Sequence, residues 1–149
     1  MHRCIRCREV KNLAPDLELL HLVEREHAAS GGREFFISFE VPDQSLLLGF
    51  LRLRFNGDAH AHAHTHAVFP ELGGAALIRE LHVYGVIVPT YHGDGDSEDG
   101  RRPQHIGLGR RLVAHAERVA IRAGYSKVAI IAGVGVRRYY ESVCLSVSL

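Results

Sequence analysis

Gln104-His105-Ile106-Gly107-Leu108-Gly109 decides the fold prediction, because it lies between a long apolar segment and the clearest helical pattern of the chain. The apolar segment, Ala76–Val88, predicts a strand, and Gly107–Ala123 has apolar residues at helical spacing. The first amides of a helix lack intrahelical partners, and the helix dipole makes this end positive. Glycines let the backbone approach an anion closely. The segment therefore predicts a pyrophosphate site where the helix begins.

The spacing of two glycines is a weak signal, and a plain helix start without a ligand explains it equally well. A Rossmann dinucleotide site is disfavoured because the third glycine of its turn is missing. A P-loop is excluded because no Gly-Lys-Ser/Thr sequence follows. A phosphate site and an ordinary helix entrance both stay open on spacing alone.

The rest of the chain predicts a mixture of strands and helices. Before Ala76, Cys4–Val10 predicts a short strand, and the apolar face of Pro15–Ala29 predicts a helix stopped by Ser30-Gly31-Gly32. Glu34–Val41 and Ser45–Phe55 predict a hairpin of two strands. After Gly124, the pattern predicts a strand, a short helix and the start of a last strand at Lys127–Ala132, Gly135–Ser142 and Leu145–Leu149.

Composition narrows the class of protein. The 149 residues suit one folded domain, since 46% are hydrophobic and 23% are charged. The net charge of +1 lacks the basic excess of a typical nucleic-acid-binding domain. No apolar run approaches the roughly 20 residues of a membrane helix. We therefore expect no membrane partner and an intracellular, cytoplasmic or nuclear, location.

The motifs together carry a family resemblance. Gln104–Gly109 resembles the acetyl-CoA signature of GNAT acetyltransferases. The wider sequence is similar to the acetyltransferase domain of the Elongator catalytic subunit family, and the matching stretches are Arg3–Val10, Arg79–Gly85 followed by Pro89, Gln104–Gly109, Ala116-Glu117-Arg118 and Gly133–Tyr140. This resemblance spans nearly the whole chain.

The resemblance implies a fold. It predicts an α+β, three-layer GNAT-like domain over residues 1–149, with a mixed, mostly antiparallel sheet flanked by helices. Residues 1–10 would be the remnant of a linker to an absent radical-SAM domain. The central strands Ala76–Val88 and Lys127–Ala132 would splay apart and admit the pantetheine arm of acetyl-CoA.

The resemblance also assigns the acetyl-CoA site. The pyrophosphate contacts would come from Gln104, Gly107 and Gly109. The full set of predicted ligand-binding residues comprises Gln104, His105, Ile106, Gly107, Leu108, Gly109, Arg110, Leu81 and Val83.

Three residues are catalytic candidates. Tyr139 and Tyr140 stand where such domains place a tyrosine near the thioester sulfur, and a phenol there can protonate the leaving thiolate. The sequence does not decide which of the two is functional and which packs in the core. Glu80 could act as a general base or could simply be an ion-paired carboxylate, and His82 shares its face of the strand.

Metal ligands are sparse. Cys4 and Cys7 form one Cys-x-x-Cys pair, which is half of a zinc site, and the resemblance implies that the other ligands come from absent chain. Cys144 is expected to be a buried apolar residue. The alternating histidines from His60 to His66 are better explained as a solvated segment than as a metal site, and Gly93–Gly100 as a solvated acidic loop. No iron–sulfur or S-adenosylmethionine site is expected.

Three functions remain open. The first is the acetyl-CoA-binding domain of an Elongator-type enzyme that modifies wobble uridine in tRNA, a family also described as histone lysine acetyltransferases. In that case tRNA and Elongator subunits are the expected partners. The second is a stand-alone N-acetyltransferase, and the third is a noncatalytic tRNA- or complex-binding module whose arginines contact phosphates. The atypical end, Glu141–Leu149, would leave an open sheet edge that favours a homodimer.

Overall fold

The computed structural model describes residues 4–11, 13, 15–56, 69, 72–84 and 107–144. Within these ranges the chain forms five strands, three α-helices and two short 3-10 turns. The strands are β1 (His21–Ala29), β2 (Gly32–Glu40), β3 (Leu47–Phe55), β4 (Ala75–Val83) and β5 (Lys127–Ile130). The helices are α1 (Ile5–Arg8), α2 (Leu108–Arg122) and α3 (Arg137–Val143), and the 3-10 turns span Leu17–Leu19 and Val134–Val136.

The five strands form one mixed sheet in sequence order, β1-β2-β3-β4-β5. The first three pairings are antiparallel, and β4 pairs with β5 in parallel. A parallel pair needs a crossover connection, and α2 lies between these two strands in the chain. The predicted α+β class with a mixed, mostly antiparallel sheet is confirmed, and so is the β2–β3 hairpin.

The core lies between α2 and one face of the sheet. Leu112, Val113, Ala116 and Ala120 are fully buried on α2, at the spacing of one helical face. They join a cluster whose sheet members include Phe39, Ile37, Leu51, Leu53 and Ile78. No helix in the described ranges is long and apolar enough to cross a membrane.

The helix predicted for Pro15–Ala29 is wrong. A short 3-10 turn at Leu17–Leu19 leads into β1, which pairs with β2 over its whole length. Ser30 (φ 43°) and Gly31 (φ 74°) both have left-handed backbone, which suits a two-residue hairpin turn. The Ser-Gly pair therefore reverses a hairpin instead of ending a helix. Pairing with β2 overrides the local helix preference of the Leu, Glu and Ala residues in β1.

The strand predicted for Cys4–Val10 is also wrong. Ile5–Arg8 is one turn of α-helix, and only Glu9 makes an isolated parallel bridge, to Leu47. Val10 is fully buried, and its N–H donates to the carbonyl of Leu47 at 3.2 Å. The segment is attached to the sheet only at its end, so its first residues can form a helical turn instead of a strand.

A buried ionic cluster ties this segment to the sheet. The fully buried carboxylate of Glu40 accepts from Arg25 Nη1 at 2.7 Å, from Ser38 Oγ at 2.6 Å and from Arg8 Nη1 at 2.9 Å. Burial alone would raise the pKa of Glu40, but the hydrogen bonds from Arg25, Ser38 and Arg8 outweigh it and lower the pKa to about 2. The cluster joins α1, β1 and β2, and it stabilises the fold only while Glu40 is ionised.

We expect Glu40→Gln to lower the free energy of unfolding by about 3 kcal/mol at pH 7. The folded-state pKa lies below the ordinary value of 4.5, so this contribution is complete above that value and is lost as pH falls towards about 2. Urea denaturation of both proteins at a series of pH values measures the difference. Glu141→Gln is the matched control, because Glu141 pairs with Arg137 on an exposed helix face and should cost under about 0.5 kcal/mol. A difference that does not shrink with acid would contradict the role given to the Glu40 charge.

Candidate functional site

The pairing of β4 with β5 stops early. It runs from Ala75 opposite Lys127 to Ile78 opposite Ile130, and Ile131 N–H donates to the Ile78 carbonyl at 2.9 Å. β4 then continues to Val83. The last five residues of β4 have no partner on β5, which is the arrangement expected of strands that splay apart.

A bulge in β4 lies at this point. Arg52 of β3 pairs with Glu80 and Leu53 with Ile78, so Arg79 is an extra residue on β4. Ile78 and Leu81 both pack on the core below α2. Glu80 and His82 consequently lie on the opposite face, where Glu80 meets Arg52. Beyond the bulge, the face of β4 that carries Leu81 points towards α2 and is called the α2 side. The face that carries Glu80 and His82 is called the outer side.

The start of α2 suits an anion. Gly107 caps the helix with a left-handed backbone (φ 102°), and no side chain among the described residues caps the first turn. That turn has no acidic residue, and it carries the exposed Arg110. Arg111 follows with its guanidinium 4.5 Å from the centre of the Phe39 ring. The first amides are therefore free of side-chain caps in a positive environment.

Three elements meet at Gly109. A Cβ built on this buried glycine would collide with the Tyr139 hydroxyl, and it would lie 3.5 Å from Val83 Cγ2. Tyr139 comes from α3 and Val83 from the free end of β4. Glycine is required here because the tyrosine fills the space of a side chain. The structure brings together four of the predicted residues, Gly107, Gly109, Val83 and Tyr139, with Leu108 buried beside them.

The two tyrosines are half-buried and differ in position. Their rings meet edge to face, with centroids 5.4 Å apart. Burial raises the pKa of Tyr139 and of Tyr140, so both phenols stay protonated at neutral pH. Burial likewise raises the pKa of the neighbouring Cys144 thiol, in keeping with a half-buried cysteine. Of the two hydroxyls, that of Tyr139 contacts the first turn of α2. The sequence could not decide which of the two tyrosines would lie there.

Glu80 is ion-paired. Its Oε2 lies 3.3 Å from Arg52 Nε, and its Oε1 lies 3.1 Å from His82 Nε2. Arg79 instead pairs with Glu34, at 2.7 Å. The sequence placed His82 on the same face as Glu80 without choosing it as a catalytic residue, and the structure shows that its ring stacks on Phe50 with centroids 5.3 Å apart. The cross-strand register that makes this stack was not predictable from the sequence.

Several exposed aliphatic residues, called the apolar rim, end β4 or follow β5 in the chain. They are Val83, Ile131, Val134 and Val136. Val134 is 96% exposed, which is unusual for a valine in a folded domain. Exposed apolar side chains next to an open strand end are typical of a ligand groove.

The Cys4–Cys7 pair lies at the start of α1. The two sulfurs are 2.9 Å apart on α1, and both residues are exposed. The contact with the Cys7 side chain lowers the pKa of Cys4. The part of the chain that the structure describes contains no group of three or more metal-ligating side chains. Two thiols are half of a four-ligand zinc site, so the Cys4–Cys7 pair would need further ligands to hold zinc.

Several predicted features lie outside the described residues. They are the ligand residues Gln104, His105 and Ile106, the histidines from His60 to His66, the loop Gly93–Gly100, the strand end Gly85–Val88 and the last strand Leu145–Leu149. The predicted roles of these residues stay predictions.

Comparison with known proteins gives one consistent relationship. The chain is 38% identical over 149 residues to Elongator complex protein 3 of Bos taurus, covering 93% of this chain and 25% of that protein. It is 40% identical over 129 residues to the Schizosaccharomyces pombe protein of that name, covering 85% and 22%. The structure of archaeal Methanocaldococcus infernus Elp3 superposes with a TM-score of 0.66 at 36% identity, over 94% of this chain and 32% of that one.

The chain is a homologue of one segment of Elongator complex protein 3. The resemblance to the Elongator catalytic subunit family is thereby confirmed, together with the fold class. The chain spans about a quarter of the length of these curated Elongator complex protein 3 relatives. No protein-family model matches it.

We expect Gly109→Ala to destabilise this Elongator-type domain by about 1 kcal/mol, because the added methyl group meets the Tyr139 hydroxyl. Alanine is otherwise favoured over glycine in a helix by up to about 1 kcal/mol. In a Tyr139→Phe background the same change should therefore stabilise. Thermal and urea unfolding of the double-mutant cycle measures this coupling.

Gly133→Ala is the control for this cycle, because a Cβ there meets nothing within 4 Å. Equal effects of Gly109→Ala in both backgrounds would show that Tyr139 does not occupy the space beside Gly109.

Proposed function

We propose that this chain binds acetyl-CoA as the acetyltransferase-type domain of an Elongator-type enzyme. The observation that carries the proposal is the meeting of Gly109, Val83 and Tyr139 where the β4–β5 pairing has ended. One point thus combines a glycine-lined helix start, an open strand edge and a phenol. These are the parts needed to hold a phosphate, to accept an extended arm and to protonate a leaving group.

The pyrophosphate belongs at the start of α2. Leu108, Gly109 and Arg110 supply the uncapped amides, and no acidic side chain in the first turn opposes an anion. Gly107 has a left-handed backbone conformation, which would be strained in a residue that carries a Cβ. Gln104, His105 and Ile106, which directly precede this turn, are proposed to extend the site.

The pantetheine arm belongs in the opening between β4 and β5. An extended amide-bearing arm can add to a free strand edge as another strand would. Leu81 packs on the core and Val83 lies near Gly109 on the α2 side of this edge, and the exposed Ile131 and Val134 follow β5 in the chain. The apolar rim would exclude water from the thioester end.

Tyr139 is the proposed general acid. Acetyl-CoA supplies a thioester, whose cleavage releases a thiolate that needs a proton. The Tyr139 phenol is protonated at neutral pH because burial raises its pKa, and its hydroxyl stands beside the first turn of α2. Tyr140 is proposed to support its ring through the edge-to-face contact.

The larger setting is also a proposal. The relatives are named as proteins of the Elongator complex, so we propose Elongator subunits as partners and tRNA wobble uridine as the destination of the acetyl group, with histone lysine as the other acceptor described for the family. A zinc ion shared with further ligands at Cys4 and Cys7 fits the same setting. The conclusion for this chain itself is acetyl-CoA binding.

Isothermal titration calorimetry with a non-hydrolysable acetyl-CoA analogue tests the binding site. We expect the unmodified chain to bind and Gly107→Glu to bind at least about tenfold more weakly, because its carboxylate would face the phosphates. Gly31→Glu is the matched control: Gly31 has a left-handed φ as well, and neither glycine has atoms within 4 Å of a built Cβ. The proposal fails if the unmodified chain does not bind, or if both variants bind as it does.

Thioester turnover tests the assignment of the phenol. If Tyr139 protonates the thiolate, Tyr139→Phe should slow the release of free CoA by about 100-fold while the affinity for the analogue stays within about twofold. Tyr140→Phe, which removes the adjacent hydroxyl, should slow it far less. A thiol-reactive dye follows the released CoA. The reverse ranking would assign the proton to Tyr140.

A further inference from the structure

We propose that His82, oriented by Glu80, is the general base that activates the nucleophile attacking the acetyl thioester. This inference rests on the proposed function and names a residue on the acceptor side of the same site. With no other acceptor present, the nucleophile is water.

The first argument is position. His82 lies four residues beyond Ile78, the last residue of β4 that pairs with β5. The bulge at Arg79 turns His82 to the outer face, whereas Leu81 packs towards α2. A thioester threaded between the strands from the α2 side would present its carbonyl to the outer side. An acceptor therefore reaches that carbonyl across the surface that carries His82.

The second argument is the hydrogen bonding of the ring. Glu80 Oε1 lies 3.1 Å from His82 Nε2, and Arg52 Nε lies 3.3 Å from the other carboxylate oxygen. A carboxylate only accepts hydrogen bonds, so in the neutral ring Nε2 carries the proton and Nδ1 keeps a lone pair. Both oxygens of Glu80 have partners already. Glu80 is therefore better suited to orient a base than to be one.

The third argument is that the ring is fixed and still accessible. It stacks on Phe50, which is 2% exposed, with an interplanar angle of 21°, and Tyr84 stacks at 6.3 Å. The His82 side chain nevertheless remains 54% exposed. The ring is therefore held by stacking while more than half of its side chain stays accessible to solvent.

Two sets of charged groups lie near His82 among the residues that the structure describes. Glu80 and, through it, Arg52 face the ring from β4 and β3. On the side of α1 the neighbours are Glu9 and Arg6, which act on the phenol of Tyr84, whose pKa is raised first by burial and then by Glu9.

The proposed step balances. A water oxygen forms a bond to the acetyl carbonyl carbon while His82 Nδ1 takes the proton of that water. The carbon–sulfur bond then breaks, and the sulfur receives the proton of the Tyr139 hydroxyl. His82 returns its proton to Tyr139 through solvent, and the products are free CoA and acetic acid, which releases its proton to solvent as acetate.

The kinetic test compares His82→Ala with His115→Ala. His115 is the matched control because its Nε2 also meets a carboxylate, Glu24 Oε2 at 2.6 Å, but on the α2 face towards β1. We expect His82→Ala to lower acetyl-CoA hydrolysis about 100-fold or more, with analogue affinity within twofold, and added imidazole to restore part of the rate. His115→Ala should retain the rate and show no response to imidazole beyond the protein-free background. Glu80→Gln should lower the rate less than His82→Ala.

A chemical test needs no turnover. Diethyl pyrocarbonate should modify His82 in the free protein, and the bound acetyl-CoA analogue should shield it, as measured by peptide mass spectrometry. His27, which is exposed on β1, should be modified equally in both states.

The outcomes separate the two proposals. Absence of analogue binding overturns acetyl-CoA binding itself. Binding without hydrolysis by the unmodified chain, hydrolysis unchanged in His82→Ala, or equal labelling of His82 with and without analogue overturns the role of His82 alone.

Discussion

The extra residue in β4, Arg79, is the constraint on which the rest of the site depends. Without it, strict alternation would carry either Ile78 or Leu81 away from α2, because side chains alternate between the faces of a strand. The bulge lets both pack on the core and moves Glu80 and His82 to the outer face. The bulge lies directly after Ile78, where the pairing with β5 ends. The side chains of β4 therefore change faces at the same place at which the sheet opens.

Two kinds of contact then hold the opening in shape. On the α2 side, the Tyr139 hydroxyl occupies the space beside Gly109, which links α3 to the start of α2. On the outer side, stacking of His82 on Phe50 and the ion pair between Arg52 and Glu80 reinforce the pairing of the second half of β4 with β3. The other edge of this half has no partner on β5.

The N-terminal segment is attached by a different device. Arg8 reaches the buried carboxylate of Glu40, and Val10 binds to Leu47 through its backbone, so α1 is fixed at its C-terminal end. Cys4 and Cys7 lie beyond that attachment and are exposed. The ionic cluster thus connects the stability of the sheet to the position of this pair.

The sequence by itself determined the elements whose periodicity is strong and the residue types at the site. The β2–β3 hairpin, α2 and β5 were predicted from local patterns, and Gly107, Gly109, Tyr139 and Glu80 were named from their motifs. Local pattern failed where long-range pairing decides. His21–Ala29 is a strand because β2 pairs with it, and Ser30-Gly31 is a hairpin turn because two strands must reverse there. Tertiary structure alone placed the Tyr139 hydroxyl at Gly109, exposed His82 on the outer face and paired Glu80 with Arg52. The positions of His82 and Glu80 depend on strand register and on one bulge, whereas the Tyr139 contact depends on how α3 lies against α2. Both are fixed by contacts between residues far apart in the chain.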